Sequence, residues 1–121
     1  MTGSPQAAVT AARAAASKQA RDVVVLDVRD LIVITDYFVI ASGTSDRQVR
    51  AVAEEIESAV RPLGLRPVRR EGQREGRWVL LDFVDFVAHV FRDDDRQFYG
   101  LERLWADAPR VEWEERAVRS G

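Results

Sequence analysis

The sequence predicts a single α/β domain, more strictly α+β, in which about five strands are flanked by helices. Five segments have the composition of strands and are separated by helical or turn-forming sequence. The chain has 121 residues, which is enough for one domain with a modest core and too few for two. The stretch 78–105 combines two apolar runs with an aromatic helical segment, so we expect it to form the centre of the fold.

The N-terminal part predicts one helix and two strands. Ser4-Pro5 is a helix-start signal, and the alanine-rich segment 4–20 has high helix propensity but little apolar area. We therefore expect this helix to dock lightly on the rest of the protein or to fray. β-Branched residues predict strands over 23–28 and 37–41.

The middle of the chain predicts a second helix and an edge strand. Gly43 ends the preceding strand, and Ser45 with Gln48 three residues later has the spacing of a capping box. Apolar residues then recur at helical spacing until Pro62, where we expect the helix to stop. The segment 65–71 contains a proline and several arginines, which suits a strand at a sheet edge.

The stretch 78–105 predicts two buried strands followed by a helix. The runs 78–81 and 86–91 are apolar on both faces, as in strands inside a sheet. Three aspartates then precede aromatic and aliphatic residues at helical spacing as far as Trp105. We expect one domain over residues 1–107 and a mobile C-terminal tail over 108–121.

Composition and charge exclude several classes of function. With no cysteine, the chain has no disulfide framework and no thiolate ligand or nucleophile, which suits the cytoplasm. No apolar run approaches the roughly 20 residues of a membrane span, and a net charge of −2 argues against a free-standing nucleic-acid binder. Residues 61–77 hold six arginines and two glutamates, whereas 82–102 hold six acids and two arginines. This asymmetry indicates either solvated charge on two faces or an acidic surface for a basic partner.

Two features invite an enzymatic interpretation, and both are incomplete. A strand followed by Gly43, Ser45 and a helix resembles the phosphate-binding start of the nucleotidyltransferase fold. That chemistry needs acidic magnesium ligands on the following strand, where this chain has arginines. Asp82 and Asp85 lie across a predicted turn and need not converge. We therefore expect a nucleotidyltransferase-like shell without the metal site, with an active or degenerate nucleotide-binding enzyme as the alternative function.

The one histidine, His89, is the second such feature. No serine or cysteine motif accompanies it, and a zinc site would need further histidine or cysteine ligands. We expect His89 to be a structural residue anchored by a neighbouring carboxylate or backbone carbonyl, and we expect no metal and no catalysis.

Several blocks of sequence, in order, resemble one known family. The blocks are DYFVIASGTS from Asp36, EG from Glu71, DxxD from Asp82, HVF from His89 and RxFYxLExLW from Arg96. Together they resemble the ribosomal silencing factor (Iojap) family, and the resemblance covers about residues 23–105. It implies a mixed sheet of about five strands flanked by helices, related to the nucleotidyltransferases.

The resemblance also implies a partner and a function. Family members bind the large ribosomal subunit through ribosomal protein uL-fourteen, block association with the small subunit and lower translation when nutrients are short. The resemblance implies no cofactor, allows a minor contact with ribosomal RNA, and leaves open a homodimer of the free protein. Carried over by position, the candidate partner-binding residues are Trp78, Asp82, Asp85, Arg96, Tyr99, Glu102 and Trp105. The structural motif residues are Asp36, Phe38, Gly43, Ser45 and His89.

Two questions remain open at the level of sequence. The large aromatic residues Trp78, Tyr99 and Trp105 can be core residues, or they can form an exposed patch beside acids, which is the composition of a protein-binding hot spot. The family also favours glycine at the position of Val84. A β-branched residue disfavours positive φ, so this turn either has a different type or carries strain.

Overall fold

A five-stranded mixed sheet organises the fold in this computed structural model, which describes residues 5–114. The strands are β1 (Arg21–Asp27), β2 (Tyr37–Gly43), β3 (Arg69–Glu71), β4 (Trp78–Asp82) and β5 (Phe86–Arg92). Their order across the sheet is β1-β2-β5-β4-β3, and only β2 and β5 run parallel. The predicted fold class, a mixed sheet of about five strands flanked by helices, is confirmed.

Two helices cover one face of the sheet. The apolar residues predicted for the second helix are all buried in α2 (Asp46–Val60), and they pack on the β2, β4 and β5 side chains of that face. The first helix, α1 (Gln6–Ser17), packs there too through five buried alanines. The expectation that it docks lightly is wrong, because small side chains let two helix backbones approach closely and pack without gaps. Its start at residue 4 lies outside the described residues.

The N-terminus of α2 is tied to the end of α1. The backbone N–H of Gln48 donates to Ser45 Oγ at 3.1 Å, so the predicted serine cap is present. The Gln48 side chain does not return to Ser45 as in a full capping box. It accepts from the backbone N–H of Thr44 at 2.8 Å and donates to the carbonyl oxygens of Lys18 and Gln19.

The edge strand is shorter than predicted. A 3-10 turn over Arg61–Leu63 ends α2, and only Arg69–Glu71 of the segment 65–71 pairs with β4. The edge position itself is confirmed, and Arg70 on this strand forms an ion pair with Glu57 of α2 at 2.9 Å. Charged side chains on an edge strand discourage pairing with another molecule.

The aromatic helix after β5 is broken in two. The sequence predicted one helix as far as Trp105, but Gly100 adopts φ 58° and separates α3 (Asp93–Tyr99) from α4 (Leu101–Leu104). Glycine tolerates this left-handed conformation, which ends a helix and redirects the chain. The break leaves Tyr99 beside β4 and turns α4 back over β2.

The chain does not leave the domain after residue 107. The backbone of residues 109–111 pairs with β1: Asp27 N–H donates to the Pro109 carbonyl, and Val111 N–H donates to the Val25 carbonyl, both at 2.8 Å. The Trp113 indole N–H donates to the Val23 carbonyl at 3.0 Å. The predicted boundary at 107 is therefore wrong for residues 108–114, whereas 115–121 lie outside the described residues.

Candidate protein interface

The sheet face opposite α1 and α2 is only partly covered, and we call it the open face. Side chains alternate along a strand, so this face carries Trp78, Leu80 and Asp82 of β4 together with every second residue of β5. Leu80 and Val87 remain half-buried there. A small second core of Leu26, Val28, Phe38, Ile40, Phe91 and Ala108 lies under α4 and the loop before β2.

Trp78 is the centre of an aromatic cluster on the open face. Its ring centroid lies 4.8 Å from that of Phe91 beneath it and 4.7 Å from that of Tyr99. Trp78 is half-buried, whereas Tyr99 is 50% exposed and Phe98 beside it is 78% exposed. Trp105 is half-buried against Phe38 at 5.7 Å. The open question about these aromatics thus has a mixed answer: Trp78 and Trp105 are packed on one side, and Tyr99 faces solvent.

His89 supports this cluster from below. The Trp78 indole N–H donates to His89 Nδ1 at 3.1 Å, so a neutral imidazole carries its proton on Nε2. Burial lowers the pKa of His89 from 6.5 to about 4, which keeps the ring neutral near pH 7. The predicted structural role fits this geometry, but the expected carboxylate or carbonyl partner is wrong. The indole of Trp78 takes that place, and Nε2 has no hydrogen-bond partner among residues 5–114.

The turn between β4 and β5 carries the two candidate aspartates. Asp82 is half-buried and its Oδ1 accepts from the Val84 N–H at 2.9 Å, while Asp85 is exposed. Val84 adopts φ 77°, so the strained alternative is the one realised. Asp85 forms no ion pair with another described residue, which leaves its charge available to a partner.

The three aspartates of α3 are less available than their sequence suggests. Asp93 pairs with Arg21 and Asp95 pairs with Arg77, both at 3.0 Å. Asp94 lies 3.7 Å from Arg92 and keeps 68% of its side chain exposed. Internal pairing neutralises most of this acidic run, so Asp94 is its main outward-facing charge.

Arg96 and Glu102 form an internal ion pair. Two guanidinium nitrogens of Arg96 donate to the Glu102 carboxylate at 3.0 and 2.9 Å, and a third donates to Ser42 Oγ at 3.1 Å. Arg96 is buried, and its hydrogen bonds lower the pKa of Glu102. Arg96 therefore joins α3, α4 and β2 and holds the turn at Gly100, and it is not part of the exposed surface.

The remaining motif residues position these elements. The Asp36 N–H donates to the Asp85 carbonyl at 3.0 Å, and Phe38 is buried in the second core under α4. Gly43 is buried where a Cβ would meet Gln48 Oε1 at 3.0 Å, so glycine keeps room for the side chain that joins α1 and α2. Ser45 caps α2, as described above.

A polar cleft of about 930 Å³ lies where β2 and β5 end, and the sequence did not predict it. The carboxyl ends of parallel strands are common ligand sites in α/β proteins. Its lining includes Arg103 and Arg110, which form no ion pair with the described residues. No group of three or more histidine, aspartate or glutamate residues within 5–114 could hold a metal ion. The cleft thus has the location of a ligand site in an α/β protein, and its acidic lining residues Asp22, Asp93 and Glu102 do not form such a group. Separately, no helix within residues 5–114 has the length and apolar composition that a membrane span requires.

The molecule is a small α+β domain whose five-stranded mixed sheet is closed by two helices on one face and partly open on the other. A family model described as "Ribosomal silencing factor during starvation" matches residues 2–120. The chain therefore belongs to the ribosomal silencing factor family, and the predicted resemblance is confirmed.

Individual relatives agree with this assignment. The ribosomal silencing factor of Bacillus subtilis is 46% identical over 99 residues, which cover 82% of this chain and 84% of that protein. A crystal structure from Bacillus halodurans has a TM-score of 0.78 at 38% identity, covering 90% of this chain and 99% of that one. A mouse protein named "Mitochondrial assembly of ribosomal large subunit protein 1" is 36% identical over 91 residues, which are 73% of this chain and 40% of that protein.

Proposed function

We propose that this protein binds the large ribosomal subunit through ribosomal protein uL-fourteen and that the open face is its contact surface. The observation that carries the proposal is the pair of Trp78 and Tyr99 on that face, whose rings lie 4.7 Å apart with Tyr99 half exposed. Binding energy at protein interfaces concentrates in a few rigid aromatic anchors. Membership of the ribosomal silencing factor family, and the name of the mouse relative, support the choice of a ribosomal partner.

The electrostatics of the surface favour a basic partner. Asp85 is exposed and unpaired among the described residues, and Asp94 is largely exposed. Such rim charges mainly accelerate association and select against acidic partners, while the aromatic centre supplies affinity. Arg96 and Glu102 act indirectly, because their internal ion pair fixes α3 and therefore the position of Tyr99.

The action that we propose is steric and needs no turnover. A domain bound to the subunit-joining face of the large subunit prevents the small subunit from occupying it. Translation on cytoplasmic ribosomes is then repressed in proportion to the bound fraction, as a response to nutrient limitation. Dimerisation of the free protein is a separate question, which sedimentation velocity answers: a single species near 13.7 kDa would exclude a dimer.

Sedimentation with purified subunits tests the proposal. The protein should pellet with isolated large subunits, reaching about one copy per subunit, and should reduce the joined fraction when small subunits are added. The protein should also bind isolated uL-fourteen protein in the absence of ribosomal RNA. This measurement separates a protein contact from an RNA contact. Binding only to small subunits, or an unchanged joined fraction at saturating protein, would contradict the proposal.

A further inference from the structure

The backbone of Val84 is held in a conformation that its side chain disfavours. Its φ of 77° lies in the left-handed region, where a β-branched residue clashes with its own backbone. The conformation is fixed from both sides. The Val84 N–H donates to Asp82 Oδ1, and its carbonyl accepts from Thr35 Oγ1, both at 2.9 Å. The surrounding turn therefore imposes the strain rather than relaxing it.

Core packing does not explain the valine. Its side chain is 54% exposed, so it contributes little buried area, and glycine would adopt this φ without strain. Strained residues persist where function requires them, and the inference runs from the observed outlier to a role. The role must belong to the side chain, because the hydrogen bonds of this turn use only the Val84 backbone.

Val84 lies in a patch built from two chain segments. The end of the β1–β2 loop lies beside this turn and is joined to it by two hydrogen bonds. One is the Thr35–Val84 bond described above, and the other runs from the Asp36 N–H to the Asp85 carbonyl at 3.0 Å. Val33 and Ile34 precede these contacts and are 99% and 79% exposed. We call Val33, Ile34 and Val84 the apolar tip.

The apolar tip has an acidic rim and continues the open face. Asp36 and Asp85 flank it, and neither forms an ion pair with another described residue. Asp82, at the base of the turn, shares the open face with Trp78 and Leu80 along β4. An apolar centre with a charged rim is the usual anatomy of a protein–protein contact, and the sign of this rim selects a basic partner.

We propose that the apolar tip is a second contact for the same basic ribosomal protein, with Val84 as a residue that determines specificity. An apolar side chain of the partner packs on the tip while lysine or arginine groups pair with Asp36 and Asp85. This inference rests on the proposed function, because it assigns the tip to the same partner.

Substitutions that relieve the strain and remove the side chain test the inference. Val84→Gly and Val84→Asn should both raise the midpoint of thermal unfolding, since glycine and asparagine tolerate this φ. Both should also weaken binding to isolated large subunits about tenfold. Ile34→Ser should weaken binding by a similar factor with little change in the midpoint, because Ile34 is exposed in the free protein.

Gln19→Gly is the matched control. Gln19 also has a positive φ, of 65°, at the end of α1, and it lies away from the open face. Its replacement should raise the midpoint and leave binding unchanged. Parent-like binding of Val84→Gly and Ile34→Ser would overturn the inference while leaving the proposed function intact. A parent protein that does not bind large subunits would instead refute the proposed function, and the inference with it.

Discussion

His89 makes the stability of this protein depend on pH in a defined window. Its pKa is about 4 in the folded state, because burial disfavours the charged ring, against 6.5 for an unperturbed histidine. The unfolded chain therefore binds the proton more tightly, and stability falls as the pH drops below 6.5. One pKa unit corresponds to about 1.4 kcal/mol, so the loss should reach about 2 kcal/mol at pH 5 and about 3 kcal/mol below pH 4.

Urea unfolding at pH 7 and pH 5 measures this loss, and proton NMR identifies its source. The chain has one histidine, so the parent protein gives one Cε1–H signal, which should not titrate above pH 5 while the protein is folded. His89→Phe removes the titrating group and should lose most of the difference between the two pH values. A parent signal that titrates near pH 6.5, or an unchanged unfolding free energy at pH 5, would refute the buried, neutral histidine under Trp78.

Three further predictions test other parts of the structure. Gly72→Ala should lower the free energy of unfolding by about 2 kcal/mol more than Gly64→Ala. The two glycines have similar φ values, 82° and 84°, but a Cβ at residue 72 would overlap the Trp78 carbonyl oxygen, whereas a Cβ at residue 64 meets nothing within 4 Å. Equal losses in urea unfolding would argue against the close approach at Gly72. Trp113→Ala should lower the free energy of unfolding by about 2 kcal/mol, since it removes a half-buried ring and its hydrogen bond to the Val23 carbonyl. A free energy of unfolding equal to that of the parent would mean that residues 108–114 are not part of the domain. Calorimetry with magnesium–ATP and magnesium–CTP should show no saturable heat, because no cluster of carboxylates among residues 5–114 could hold a magnesium ion. Micromolar binding that depends on Asp82 or Asp85 would support the enzyme alternative.

The parts of the fold that the sequence predicted well are governed by local pattern. The helix from Ser45 follows from its cap and from apolar residues at helical spacing, and each of those signals is carried within a few residues. Strands β2, β4 and β5 follow in the same way from runs of β-branched and apolar residues.

The parts that the sequence missed depend on contacts between distant segments. Burial of the alanines of α1 needs the surface of α2, which composition does not reveal. The attachment of residues 108–114 consists mainly of backbone hydrogen bonds to β1, and backbone groups are the same in every sequence. Trp113 was the one available signal, because a lone tryptophan in a polar segment usually has a buried partner.

The candidate site was predicted in composition rather than in geometry. The sequence placed aromatic and acidic residue types near Trp78, whereas which of them face solvent depends on the break at Gly100 and on ion pairs that span the chain. Arg96 illustrates the difference, since its partners Ser42 and Glu102 lie 54 and 6 residues away along the sequence. A sequence motif specifies that such a residue matters and leaves open whether it touches a partner or positions a neighbour.

The affinity of Tyr99→Ala for isolated large ribosomal subunits tests the central claim most directly. Tyr99 is half exposed and lies at the edge of the Trp78 cluster, so its truncation should leave the thermal midpoint nearly unchanged. Binding should weaken by about 2 kcal/mol, or roughly thirtyfold, as expected for an aromatic anchor. Leu63→Ala is the control, because Leu63 is a similarly exposed apolar residue in the turn after α2 and should bind like the parent. A folded Tyr99→Ala variant that binds as tightly as Leu63→Ala would contradict the assignment of the open face as the ribosome-binding surface.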